Sequence, residues 1–159
     1  MPNKNSKFVY VTYIASTPEQ VFNSLTDGEL IKDYWGRHNN VSDWKVGSRW
    51  EHRDYDDPKL VDIVGTVLEN DPPRRLVLSW ALPSEAGQPD KTSRVTFEVK
   101  MFFDSARLTM SHEELAPDSE MLQGITQGWP AVLSGLKTLL ESGKPMPMMT
   151  RRWEGPPPA

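Results

Sequence analysis

The chain has 159 residues, a quarter of them charged, and a net charge of −4. That is enough for one domain with one sizeable core, and it gives no electrostatic footprint for nucleic acid. There is no cysteine, which excludes disulfides, thiolate chemistry and Cys-ligated metals; no apolar run approaches the roughly 20 residues of a membrane span, and the first eight residues lack the apolar stretch of a secretory signal, so the cytoplasm is the expected location.

Residues 1–7 read as a flexible N-terminus. Residues 8–15 alternate as a strand, with Phe8, Tyr10, Thr12 and Ile14 on one face and Val9, Val11 and Tyr13 on the other. In the next segment Thr17 fits an N-cap and Pro18 the first helical position, so a short helix follows with Val21, Phe22 and Leu25 as its apolar side. Residues 27–35 read as a second short helix ended by Gly36, with Leu30, Ile31, Tyr34 and Trp35 apolar.

Strand patterns come next. Trp50 and His52 share one phase; the run 60–70 contains Gly65, which marks a bulge or bend; Leu76, Leu78 and Trp80 share a third phase. A polar Pro/Gly loop over 82–91 leads to a run with Val95, Phe97, Val99 and Met101 in phase. A tight turn at Asp104–Ser105 returns the chain with Leu108, Met110 and His112 together.

From about residue 120, apolar residues recur at helical spacing over about six turns: Met121, Leu122, Ile125, Trp129, Val132, Leu133, Leu136, Leu139 and Leu140. Gly143 fits the C′ position. Pro130 cannot donate to the carbonyl of Thr126 and is expected to bend this helix, while Gly128 is read as admitting a neighbouring backbone. Two readings of Trp129 stay open: a pocket mouth at the bend, or core filling. Residues 144–159 form a Pro/Met-rich tail, expected to be extended, whose Trp153 and three Met offer docking groups.

One strand, two short helices, several antiparallel strands and one long helix make an α+β chain. A sheet with one apolar face needs a cover, and the C-terminal helix alone is long enough. A curved antiparallel sheet wrapped around that helix is the helix-grip fold, here a single domain over residues 8–143.

The segments 16–27, 44–52, 64–80, 93–99, 106–115 and 128–143 occur in the order found in the START-like, or SRPBCC, superfamily. More closely, the chain resembles the family named for the activator of heat-shock protein 90 ATPase, in its C-terminal-domain type. The resemblance implies the helix-grip fold. It implies much less about activity, since members bind lipids, polyketides or hormones, some act as cyclases or dehydratases, and a few are co-chaperones.

Catalysis needs an arranged set of polar groups. No phosphate-binding Gly-rich loop and no distinguishable Ser-His-Asp set is visible, so no catalytic residue is assigned. His38, His52 and His112 have no close metal-ligand spacing. A His52/His112 pair with Asp54 or Glu114 is the set to consider, but neither a metal site nor a cofactor is expected. The residues expected around a cavity are Trp35, Trp50, His52, Trp80, Phe97, Met110, His112, Ile125, Trp129 and Leu133. The leading expectation is a hydrophobic or aromatic small molecule bound between sheet and helix. A cyclase- or dehydratase-type enzyme on the same cavity and a co-chaperone-like interaction module are the alternatives. A homodimer is compatible with the sequence, although no residue pattern demonstrates one.

Overall fold

In the computed structural model, which describes residues 3–153, seven antiparallel strands form one sheet: β1 (Ser6–Ile14), β2 (His38–Val41), β3 (Arg49–Asp54), β4 (Val61–Asp71), β5 (Arg75–Trp80), β6 (Ser93–Phe102) and β7 (Ser105–Leu115). Their order is β1-β7-β6-β5-β4-β3-β2. Two short helices, α1 (Pro18–Ser24) and α2 (Gly28–Ile31), follow the first strand, and the long helix α3 (Glu120–Ser142) covers the sheet. This is the expected helix-grip arrangement. No helix among the described residues is long and apolar enough to cross a membrane.

Local chemistry sets the ends of these elements. Thr17 caps α1 by accepting from the Gln20 N–H, and Ser119 caps α3 by accepting from the Leu122 N–H. Gly143 ends α3 with φ 75°, the left-handed conformation that glycine adopts without a Cβ clash. The second helix is shorter than the sequence pattern suggests. It closes after one turn at Ile31, and Tyr34 and Trp35 sit in the turns beyond, where the Tyr34 hydroxyl donates to the Ser24 carbonyl at 2.7 Å. The turn between β6 and β7 lies one residue earlier than expected. Phe102 and Ser105 are paired, so Phe103 and Asp104 make the connection. Strand β2 was not legible in the sequence, because four residues give too short a run for alternation to show.

Gly65 marks a break in the ladder rather than a bulge. A Cβ there would lie 1.8 Å from the Ser79 carbonyl oxygen and 2.4 Å from the Trp50 indole nitrogen. Trp50 donates to that carbonyl at 2.8 Å, and the Thr66 N–H turns to the Ser79 hydroxyl instead. The glycine therefore makes room for an indole threaded into the β4–β5 seam.

Helix α3 packs Ile125, Trp129, Val132, Leu133, Leu136 and Leu139 onto the sheet, against Leu76, Leu78, Val95, Phe97, Leu108 and Met110. It continues unbroken through Pro130. The following segment folds back rather than extending. A 3-10 turn over Pro147–Thr150 buries Met149 completely against Gly135 of α3. Trp153 lies on Gly36, its backbone N–H donating to the Gly36 carbonyl at 3.0 Å and its indole N–H to the Met148 carbonyl at 2.9 Å. The remaining tail residues, 154–159, lie outside the described residues.

Candidate functional site

Between α3, the β2–β5 side of the sheet, the loop before β6 and the folded-back tail lies a cleft of about 1370 Å³. Its wall contains Trp35, Trp80 and Trp129 with Ile63, Ile125 and Val132. Trp129 meets Trp35 edge-on at 5.2 Å between ring centroids and Trp80 at 5.5 Å. Charged groups of both signs stand around the opening, among them Lys4, Lys91 and Arg152 against Asp62, Asp90 and Glu120.

Two glycines leave the helix side of this space open. Gly124 and Gly128 are four residues apart, hence on one face of α3, and both line the cleft. A Cβ built on either meets nothing within 4 Å. The expectation that Gly128 admits a neighbouring backbone is thus corrected: its missing side chain leaves free volume. Trp129 has both roles considered for it. It is buried to 3% exposure, yet its ring forms part of the cleft wall.

Five of the ten expected cavity residues reach the cleft: Trp35, His52, Trp80, Ile125 and Trp129. The other five, Trp50, Phe97, Met110, His112 and Leu133, lie in the packed layer beneath, all at 4% exposure or less. Trp50, Phe97, Met110 and His112 face the buried side of their strands, and Leu133 that of α3. Depth along the sheet decides which meet open space, and a period-2 pattern carries no information about depth. Sequence reasoning missed His38, Asp62, Gly124, Gly128, Met148 and Trp153 in the wall. The paired glycines at helical spacing were the one usable signal.

His112 sits at the centre of a short relay. Trp129 Nε1 can only donate, and it points at His112 Nδ1 from 3.1 Å. The imidazole proton is therefore on Nε2, which donates to Ser93 Oγ at 2.7 Å, and the Ser93 hydroxyl passes its own proton to the Trp80 carbonyl at 3.3 Å. Burial drives the His112 pKa down from its ordinary value to about 3, so the ring is neutral. The pair resembles a nucleophile and its base, but the direction is reversed. Both ring nitrogens are occupied and none is left to accept the Ser93 proton. The relay ties strand β6, strand β7 and helix α3 together beneath the cleft.

The histidines do not assemble as the sequence suggested. His52 comes together with His38 and Asp62, not with His112, and these three ligand-bearing atoms lie within 4.8 Å of one another. Asp54 instead pairs with Arg152 at 2.5 Å, and Glu114 with Arg94 at 3.2 Å. Burial and the neighbouring His38 hold the His52 pKa well below its ordinary value, at about 3. Trp80 Nε1, buried, has no hydrogen-bond partner among the described residues.

Fold and cleft together define a helix-grip protein with a cavity between sheet and C-terminal helix. The family model for activator of Hsp90 ATPase homolog 1-like protein matches residues 15–141, and the chain belongs to that family. Among solved structures it is similar to CalU16 from Micromonospora echinospora, with a TM-score of 0.69 and 22% identity over 91% of this chain and 79% of that one. It is also similar to PFC0360w, an HSP90 activator from Plasmodium falciparum, with a TM-score of 0.69 and 20% identity over 84% and 95% of the two chains. The Aha1 dimer from Colwellia psychrerythraea matches with a TM-score of 0.68 and 18% identity over 87% and 98%. At these identities the likeness is one of fold. No curated protein matches the chain.

Proposed function

We propose that the cleft binds a small apolar or aromatic molecule between the sheet and α3. The observation that carries this reading is the open volume itself: four indoles, of Trp35, Trp80, Trp129 and Trp153, line it together with two helical glycines at which a Cβ meets nothing within 4 Å. Aromatic walls with a few polar groups suit flat apolar guests. The expected setting is the cytoplasm, since a cysteine-free chain has no need of an oxidising compartment. Native mass spectrometry of the freshly purified protein tests the reading. A co-purifying mass that is lost on unfolding supports it, whereas a bare chain that also takes up no member of a panel of flat apolar compounds overturns it.

A protein-interaction role is the second reading. Val9, Val11 and Tyr13 on edge strand β1, with Met101, Phe102 and Phe103 at the β6–β7 turn, are exposed apolar residues, and Tyr13 packs on Phe102 at 5.0 Å. Such a strip suits a chaperone partner of the kind the Plasmodium relative activates, or a second copy of this chain. Substituting Val11 and Phe103 by Ser should abolish such an association, while leaving uptake of a cleft ligand intact.

A further inference from the structure

We propose that His38, His52 and Asp62 bind one divalent transition-metal ion, of the Zn²⁺ or Fe²⁺ class, with its free coordination positions facing the cleft. The site lies in the same cleft, with the His52 ring 4.8 Å from that of Trp35, and stands whether or not the cleft takes an organic guest.

The strand register builds it. His38 on β2 and His52 on β3 are diagonal neighbours, since His38 pairs with Asp54 and Asn40 with His52, so their side chains share a face. On β4 a regular ladder would set Asp62 opposite Arg53, on the other face. Instead His52 pairs with Ile63 and Arg53 with Val61, leaving Asp62 as the extra residue of a bulge. A bulge of this kind re-aims a side chain. Here it delivers the carboxylate to the imidazoles: Asp62 Oδ2 lies 3.0 Å from His38 Nε2, and Asp62, His38 and His52 all line the cleft.

Hydrogen bonds then orient both rings. His52 Nδ1 donates to Asn40 Oδ1 at 2.7 Å, and His38 Nδ1 to the Gly36 carbonyl at 3.0 Å. Each ring therefore presents Nε2, and the rings stack nearly parallel, 4.9 Å apart at 9°. Metal-binding histidines commonly have this support, with the remote nitrogen donating to a carbonyl so that the other is fixed as ligand. His52 Nε2 has no partner among the described residues. Both imidazoles are 6% exposed, whereas the Asp62 side chain is 58% exposed and free to adjust.

Two nitrogens and one carboxylate oxygen suit Zn²⁺ or a facial Fe²⁺ site with open positions. Tetrahedral coordination at about 2.0–2.1 Å sets ligand atoms about 3.4 Å apart, so a set spanning 4.8 Å must contract by about 1.4 Å at its widest. Rotation of the exposed Asp62 supplies part of that movement. The ion takes the place of the direct contact between His38 Nε2 and Asp62 Oδ2.

The test uses the full chain without an affinity tag. Zn²⁺ is titrated calorimetrically and the retained metal counted by mass spectrometry after gel filtration, with Co²⁺ absorption as a report on the ligand field. The expected result is one ion per chain. Asp62→Ala should bind at least about tenfold more weakly and His52→Gln more weakly still, both with native circular dichroism. No retained ion, or an affinity unchanged by Asp62→Ala, overturns the proposal. Should His52→Gln not fold, the exposed Asp62→Ala decides alone.

Discussion

Gly128→Ala is expected to stabilise the protein, and Gly135→Ala, seven residues further along the same helix, to destabilise it. Both glycines are interior to α3 and neither has a positive φ, so each substitution gains helix propensity of about 1 kcal/mol. At Gly128 a Cβ meets nothing within 4 Å, so the gain is unopposed. At Gly135 the Cβ would sit 2.6 Å from Met149 Cε and 3.2 Å from the Tyr34 carbonyl oxygen. Overpacking of this kind costs about 1–3 kcal/mol, and the backbone carbonyl cannot retreat as the methionine tip can. The expected difference between the two variants is therefore about 2 kcal/mol, or several degrees in melting temperature for a chain this size. Urea denaturation at constant m-value measures it. A Gly128→Ala variant destabilised by more than about 1 kcal/mol would refute the reasoning, because it would mean that the space beneath α3 is already filled.

Gly65→Ala should be among the most damaging single changes, losing about 3 kcal/mol or more, since its Cβ would collide with the Ser79 carbonyl and displace the Trp50 hydrogen bond; thermal unfolding would show it. Met149→Ala should cost about 2–5 kcal/mol if the fully buried Met149 belongs to the core, and a neutral result in denaturation would mean the tail does not dock. The His112 pKa is lowered to about 3 in the fold, against about 6.5 in the unfolded chain. Between those values only the unfolded chain takes the proton, so this contribution is complete above about pH 6.5 and is lost as the pH falls toward 3. From pH 7 to pH 5 the loss is up to about 2 kcal/mol, and it should vanish in His112→Gln, as paired urea titrations would reveal.

Much of the fold was legible because its signals are local. The caps at Thr17 and Gly143 and the alternation of Phe8 to Ile14 report short-range chemistry that the structure repeats. The candidate site was half legible for a physical reason. Strand phase puts Trp50 and Trp80 on the same inward side, but only Trp80 reaches open space, because Trp50 is spent threading the β4–β5 seam. Asp62 was invisible to phase reasoning, since the bulge that turns it inward exists only through pairing with β3. His38 lay on a four-residue strand, too short to show a period. Trp153 and Met148 enter the wall through a turn whose docking depends on Gly36 and Gly135, far away in sequence.

The proposed occupant of the space between sheet and α3 is a small apolar molecule. A tryptophan-fluorescence titration of the native chain and of Gly128→Phe, with a panel of flat apolar compounds, tests it most directly. The Phe side chain would start from a Cβ position with nothing within 4 Å and occupy part of the cleft that Gly128 lines. Saturable quenching in the native protein, lost in a Gly128→Phe variant that melts no lower, is the expected result. Equal quenching in both proteins would mean that the compounds bind elsewhere, and the cleft reading would fall.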